Sequence, residues 1–212
     1  GIYRPDRGSV TLEGEDIGGL PPHAITRRGI ARTFQNIRLF RDLTVVDNVR
    51  VAYHPHVRYG PAAALLRTEA FYREERRSRE QVEGFLSIFS LADRRGERAG
   101  SLPYGDQRKL EIARALASRP RLLLLAEPAA GMNPAEIRLL IRFLREIRER
   151  FALTILLIEH QMRLVMGLCE RVVAMDFGQV IAQGPPGEVR SDRRVLEAYL
   201  GRGRSTGREG GV

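Results

Sequence analysis

Residues 101–134 read SLPYGDQRKLEIARALASRPRLLLLAEPAAGMNP, and their order of elements decides the fold. A glycine-containing turn (102–107) feeds a helix predicted over Gln107–Ser118. Leu110, Ala113, Leu116 and Ala117 repeat there at helical spacing. A short link leads to Leu122–Leu125, four leucines without alternation, the pattern of a strand buried on both faces. Glu127 stands just past that strand. A second turn follows, then Asn133 as a cap and Pro134 as the opening of another helix.

The rhythm continues outward on both sides. Downstream, Ile137, Leu140, Ile141, Leu144 and Ile147 make one helix face. Thr154–Ile158 is a strand ending in Glu159-His160. A helix over 162–169 precedes strand 172–175, and Gly178 turns it into strand 180–182. Upstream, residues 1–20 suggest a hairpin with its turn at Gly14-Glu15-Asp16, and Pro21-Pro22 begins a short helix ending at Gly29. Residues 30–34 form a strand candidate followed directly by Gln35. Thr44 is placed to cap a helix reaching Tyr53, with Asp47 three residues on. Residues 62–94 are charge-rich and helical, with Phe85, Ile88, Phe89 and Leu91 as an apolar stripe. Strands alternating with helices imply an α/β fold, a mostly parallel sheet with helices on both faces. The region 44–100 reads as a helical insertion, and 202–212 as a disordered tail by composition.

Composition bounds the function. The 212 residues suffice for one α/β domain with a small subdomain, and 43% hydrophobic content is that of a globular chain. No apolar run approaches the ~20 residues of a membrane span. The single cysteine, Cys169, cannot form an intramolecular disulfide and suits core packing in a reducing cytosol. The net charge of +9 admits a nucleic-acid or anionic-membrane partner, but the charges alternate in sign along 138–150 and aromatics are 7%, which favours a solvated surface. His54 and His56 have metal-ligand spacing but no further ligand cluster, so a turn is the plainer reading.

In open α/β sheets ligands bind beyond the carboxyl ends of the strands. Gln35, Glu127 and His160 each stand just past a strand end. A carboxylate can activate water, and an imidazole can donate to a phosphoryl oxygen. A helix N-terminus offers unpaired amides to a phosphate. Singly, each residue has a plainer reading: a structural histidine, a Glu that ends a strand before proline, an uninformative glutamine.

Taken in order, the motifs resemble those of the nucleotide-binding subunits of ABC transporters, over about residues 1–201. Leu102, Pro103, Tyr104, Gly105, Asp106 and Gln107 resemble the signature motif. LLLLAEP resembles Walker B followed by the catalytic Glu127. Ala129, Ala130, Gly131, Met132 and Asn133 resemble the D-loop, His160 the switch histidine and Gln35 the Q-loop glutamine. RTFQNIRLFRDLTVVDNV, YGDQRKLEIARAL and TILLIEHQMRLVM are similar to the ATPase subunits of branched-chain amino acid importers.

The resemblance implies a P-loop NTPase-like (RecA-like) core over 1–43 and 101–201, with 44–100 as the helical subdomain. It implies ATP and Mg²⁺ as ligands, with Gln35 near the metal. The implied partners are a second ATPase subunit, transmembrane permease subunits and, indirectly, a periplasmic or extracellular binding protein. No specific nucleic acid is expected. The implied location is cytoplasmic, on the inner face of the cell membrane. Ile37, Leu39 and Phe40 are candidates for the permease contact, with internal packing as the alternative.

Three departures qualify this. The 212 residues contain no GxxxxGK[ST] P-loop, and the only lysine is Lys109. GIYRPDRG resembles the segment after the P-loop helix, so the missing piece is expected upstream. Ala126 stands where the family carries the acid that helps hold Mg²⁺. Pro103 replaces the usual signature serine. A non-hydrolysing subunit offering its signature motif to a partner is therefore an alternative, and a nucleic-acid-associated ATPase is a third.

Overall fold

The structure, a computed structural model, describes residues 3–200, with the backbone alone for 199 and 200; the tail expected over 202–212 lies outside the described residues. Chain contacts divide it into two compact units. The first holds residues up to 130 together with 147–158, and the second holds 131–146 and the residues from 159 onward.

The first unit opens with a two-stranded antiparallel hairpin, β1 (Thr11–Leu12) and β2 (Glu15–Asp16). Its turn is Glu13-Gly14, one residue earlier than expected. Both residues have positive φ, 51° and 85°, the handedness that matches a strand twist, so the two-residue loop closes without splaying its strands. Helix α1 (Pro22–Arg27) follows. At Gly29, φ is 88°, and a Cβ there would lie 3.3 Å from the Arg121 amide nitrogen. That amide and the next both donate to the Gly29 carbonyl, which starts the parallel sheet.

The sheet has the order β3 (Ile30–Arg32), β4 (Leu122–Ala126), β5 (Thr154–Ile158), all parallel. Its register pairs Ile30 with Leu122, Leu122 with Thr154 and Ala126 with Ile158. The sequence suggested a β4 buried on both faces, but it alternates: Leu123 and Leu125 are at most 1% exposed, while Leu122, Leu124 and Ala126 are half-buried. On β5, Leu156 and Ile158 are exposed on the side where Leu124 and Ala126 pair with them. A period of two thus governs even a run of four leucines, because no described element covers that side fully.

Residues 44–100 belong to the same unit. Helices α2 (Val45–Tyr53), α3 (Pro61–Leu65) and α4 (Glu69–Ile88) form here, with α2 and α4 packed on each other and on α5 (Tyr104–Ala117). Thr44 caps α2 as expected, its Oγ1 accepting from the Asp47 amide at 3.2 Å and donating to Asp47 Oδ2 at 2.6 Å. The apolar stripe near the end of α4 is buried at Phe85, Phe89 and Leu91 and half-buried at Ile88; Val82 and Leu86 join it. His54–His56 is a 3-10 turn, and His56 Nε2 lies 3.0 Å from the Ser118 carbonyl.

Helix α6 (Pro134–Arg150) buries the face read from its spacing: Ile137, Leu140, Ile141, Leu144 and Ile147. In the second unit, α7 (Met162–Leu168) passes close to α6; a Cβ at Gly167 would meet Ile141 Cδ1 at 2.7 Å. Strands β6 (Val172–Asp176) and β7 (Gln179–Gly184) form an antiparallel hairpin turning at Phe177-Gly178, followed by α8 (Pro186–Ser191) and α9 (Arg193–Leu200). Cys169 caps the end of α7 half-buried, less enclosed than a core position, and that burial raises its thiol pKa.

Candidate functional site

Helix α5 begins at Tyr104, three residues before the expected start, so most of the stretch read as a turn is the helix's first turn. Pro103 is the N-cap, its fixed φ of −55° with ψ 150° delivering the chain into the helix, and its carbonyl accepts from the amides of Asp106 and Gln107 at 3.0 Å each. Gln107 Nε2 reaches back to the Leu102 carbonyl at 2.8 Å. The amides of Tyr104 and Gly105 precede this ladder and belong to the unpaired donors of a helix start. Leu102 is buried, whereas Pro103, Tyr104 and Gly105 are exposed. A Cβ on Gly105 would meet nothing within 4 Å. Among the described residues, nothing crowds that position. Asp106 pairs with Lys109 at 2.8 Å and Arg94 at 3.4 Å, which offset its charge in the first turn.

At the carboxyl end of the sheet, β3 and β4 deliver two site residues to one point. The ladder extends past β3, with the Thr33 amide donating to the Leu124 carbonyl at 2.9 Å. Two residues on, Gln35 Nε2 donates to Glu127 Oε2 at 2.8 Å. The Glu127 amide in turn donates to the Ile158 carbonyl at 2.9 Å, which extends the β4–β5 pairing. Glu127 has a φ of 46°, a left-handed conformation that costs a non-glycine residue of order 1 kcal/mol. The strain re-aims the chain at the strand end. Its carbonyl accepts from Ala130, closing the turn, with Ala129 fully buried beneath.

In the second unit, Gly131 (φ 76°), Met132 and Asn133 lead into α6. Asn133 Oδ1 accepts from the amides of Ala135 and Glu136, and Glu136 Oε2 accepts from the Asn133 amide at 2.7 Å, a reciprocal capping arrangement. His160, the second residue after β5, is exposed. Its Nδ1 lies 3.6 Å from Glu159 Oε2. The Glu159 side chain is fully buried and accepts from the amides of His160 and Gln161 at 2.8 and 3.0 Å. Glu159 therefore orients the histidine's backbone, a role the sequence did not single out.

The loop after Gln35 keeps Ile37 and Leu39 half-buried and Phe40 half-exposed at 49%. Phe40 is held by the buried Asn48, whose Oδ1 and Nδ2 pair with its amide and carbonyl at 3.0 Å each. The Arg114 guanidinium sits 5.5 Å from its ring centre. The sequence also missed the buried pair Arg108 and Glu111 on α5. An Arg and a Glu three apart inside an otherwise apolar helix face was the available signal.

For a magnesium ion, the donors fit poorly. Ala126 offers a methyl group at the end of β4, and Gln35 turns its amide nitrogen to Glu127, leaving the Glu127 carboxylate alone at the ends of β3 and β4. Among the described residues, no group of three or more His, Cys, Asp or Glu is placed to hold a metal.

Comparison with known proteins gives the family. Residues 1–130 match the ABC transporter family, and residues 179–204 match the family described as branched-chain amino acid ATP-binding cassette transporter. The chain is 44% identical over 201 residues to the high-affinity branched-chain amino acid transport ATP-binding protein BraF of Pseudomonas aeruginosa, covering 95% of this chain and 79% of that protein. It is 42% identical, with the same coverage, to the corresponding LivG of Salmonella typhimurium. The fold superposes on the ADP conformation of MJ1267, an ATP-binding cassette of an ABC transporter, with a TM-score of 0.77 and 29% identity over 95% of this chain and 80% of that one. With these matches and its parallel sheet, the chain belongs to the ABC transporter family, in its branch of branched-chain amino acid ATP-binding cassettes.

Proposed function

We propose that this chain is the ATP-binding subunit that energises a membrane importer of branched-chain or related amino acids, acting as half of a two-subunit ATPase on the inner face of the membrane. The observation that carries the reading is the 2.8 Å contact between Gln35 and Glu127 at the ends of adjacent parallel strands. ATP supplies the phosphoryl group that water attacks. Glu127 polarises that water, its carboxylate aimed by the strained turn and by Gln35. His160 donates to the phosphate, its backbone fixed by Glu159. Residues 102–107 act in trans: the open first turn of α5 presents the Tyr104 and Gly105 amides to a nucleotide held by the partner ATPase subunit. Ala129 to Asn133 line the same dimer contact. Gln35 couples the site to the permease, against which Ile37, Leu39 and Phe40 pack.

Ala126 leaves a methyl group where an acid would help position Mg²⁺, which weakens the chain's own hydrolytic site. The test is reconstitution of the subunit with its ATPase partner, permease pair and binding protein in vesicles. ATP-driven leucine, isoleucine or valine uptake supports the reading. Uptake that proceeds equally without this subunit, or none for any of the three with an active partner, refutes it.

A further inference from the structure

Arg108 and Glu111, on α5, are 2% and 1% exposed at the side chain and pair at 3.0 Å. The rest of their bonding capacity goes mainly to the backbone around Gln35. Arg108 Nη1 donates to the Phe34 carbonyl at 2.9 Å, and Nη2 to the Gln35 carbonyl at 3.1 Å. Glu111 Oε1 accepts from the amides of Phe34 and Arg38 at 3.3 Å each. The same Nη2 also donates to the Tyr104 hydroxyl at 3.0 Å, in the first turn of α5. One guanidinium nitrogen thus touches both the glutamine that holds Glu127 and an exposed residue of the signature turn.

The attraction between the two charges does not by itself explain this pair. Removing two charges from water costs more than their attraction reliably returns, and an apolar replacement of similar volume is often as stable. Arg108 Nε is, besides, buried with no hydrogen-bond partner. What the pair does supply is position. A planar fork with fixed donors ties the two faces together with little play, where a packed leucine would leave the loop backbone unpaired.

We infer that Arg108 and Glu111 are positioning residues that couple the signature turn to the Gln35–Glu127 contact, so that a ligand pressing on Tyr104 shifts Gln35 through one side chain. The coupling rests on the ATPase reading for its purpose but not for its existence, and two measurements separate them.

The first is amide hydrogen exchange on the chain alone. Arg108→Lys keeps the charge and loses the fork; exchange over 34–38 rises about tenfold, while 109–117 of α5 stays within about twofold. Tyr104→Phe, at a position 54% exposed, removes only the hydroxyl and keeps the test open should the first variant fold poorly. It raises exchange over 34–38 about threefold. Exchange unchanged over 34–38 in Tyr104→Phe, or protection lost evenly along α5 in Arg108→Lys, overturns the coupling. The second is ATP turnover of the assembled complex. Arg108→Lys lowers kcat about tenfold with KM for ATP within about twofold, whereas Ile112→Val, buried on the same helix, moves neither. An unchanged kcat in Arg108→Lys overturns the proposal. A wild-type complex without ATP turnover sinks the ATPase reading instead, and the exchange result then decides the coupling by itself.

Discussion

Glu127 stands at a backbone angle that a glutamate adopts only under constraint, and its carboxylate is held by a side chain 92 positions away in the chain. The residue types were legible in the sequence, because a carboxylate and an amide each followed a strand candidate. Their contact was not, since no local pattern encodes which strand lies beside which. Glu127→Gln keeps the shape and removes the charge that polarises water. ATP turnover dependent on this residue falls at least about a hundredfold, with nucleotide affinity retained, in a steady-state assay of the assembled complex. Cys169 is the counter-example, a residue read as core that the structure leaves half-buried. Burial still pushes its thiol pKa up, so less thiolate is present at a given pH. Alkylation by iodoacetamide near pH 8 proceeds several-fold more slowly in the folded chain than after denaturation. The sign for stability follows from the same shift: this contribution is whole below the ordinary thiol range and declines as pH rises through the raised value.

At the scale of elements, the caps were legible and the starts were not always so. Thr44 with Asp47 announced α2, and the structure gives that cap both its bonds. Thr44→Ala costs about 1 kcal/mol, read as a lower denaturant midpoint at unchanged slope. Helix α5 starts early because Pro103 fixes the entry and Gln107 ties back to Leu102; reading Gly105 as a turn glycine missed this. In a helix, glycine is the weaker choice, and Gly105 has open space where a methyl would go. Gly105→Ala therefore raises stability by up to about 1 kcal/mol and weakens ATP-dependent association with a partner subunit. Gain in the first with loss in the second, measured by thermal unfolding and by sedimentation, marks a glycine kept for an external ligand. The four leucines of β4 taught the opposite lesson. A run without polar residues predicts burial on both faces, but exposure depends on what covers each face, and the strand alternates.

For the molecule as a whole, the order of motifs carried more than any one of them. A helix start, a strand followed by Glu127, a capped helix and a strand ending before His160 pointed to the family, and the family matches and solved structures agree. The partners of those motifs were illegible where they depend on tertiary contact: Glu159 beneath His160, and Arg108 with Glu111 behind Gln35. The central claim is that this chain works on a nucleotide held by another subunit. Sedimentation with phosphate release on the chain mixed with its ATPase partner tests it most directly: ATP brings the two into a heterodimer that hydrolyses ATP, and Gly105→Ala weakens that heterodimer. A mixture that ATP leaves unassociated, or a heterodimer equally tight with Gly105→Ala, would contradict it.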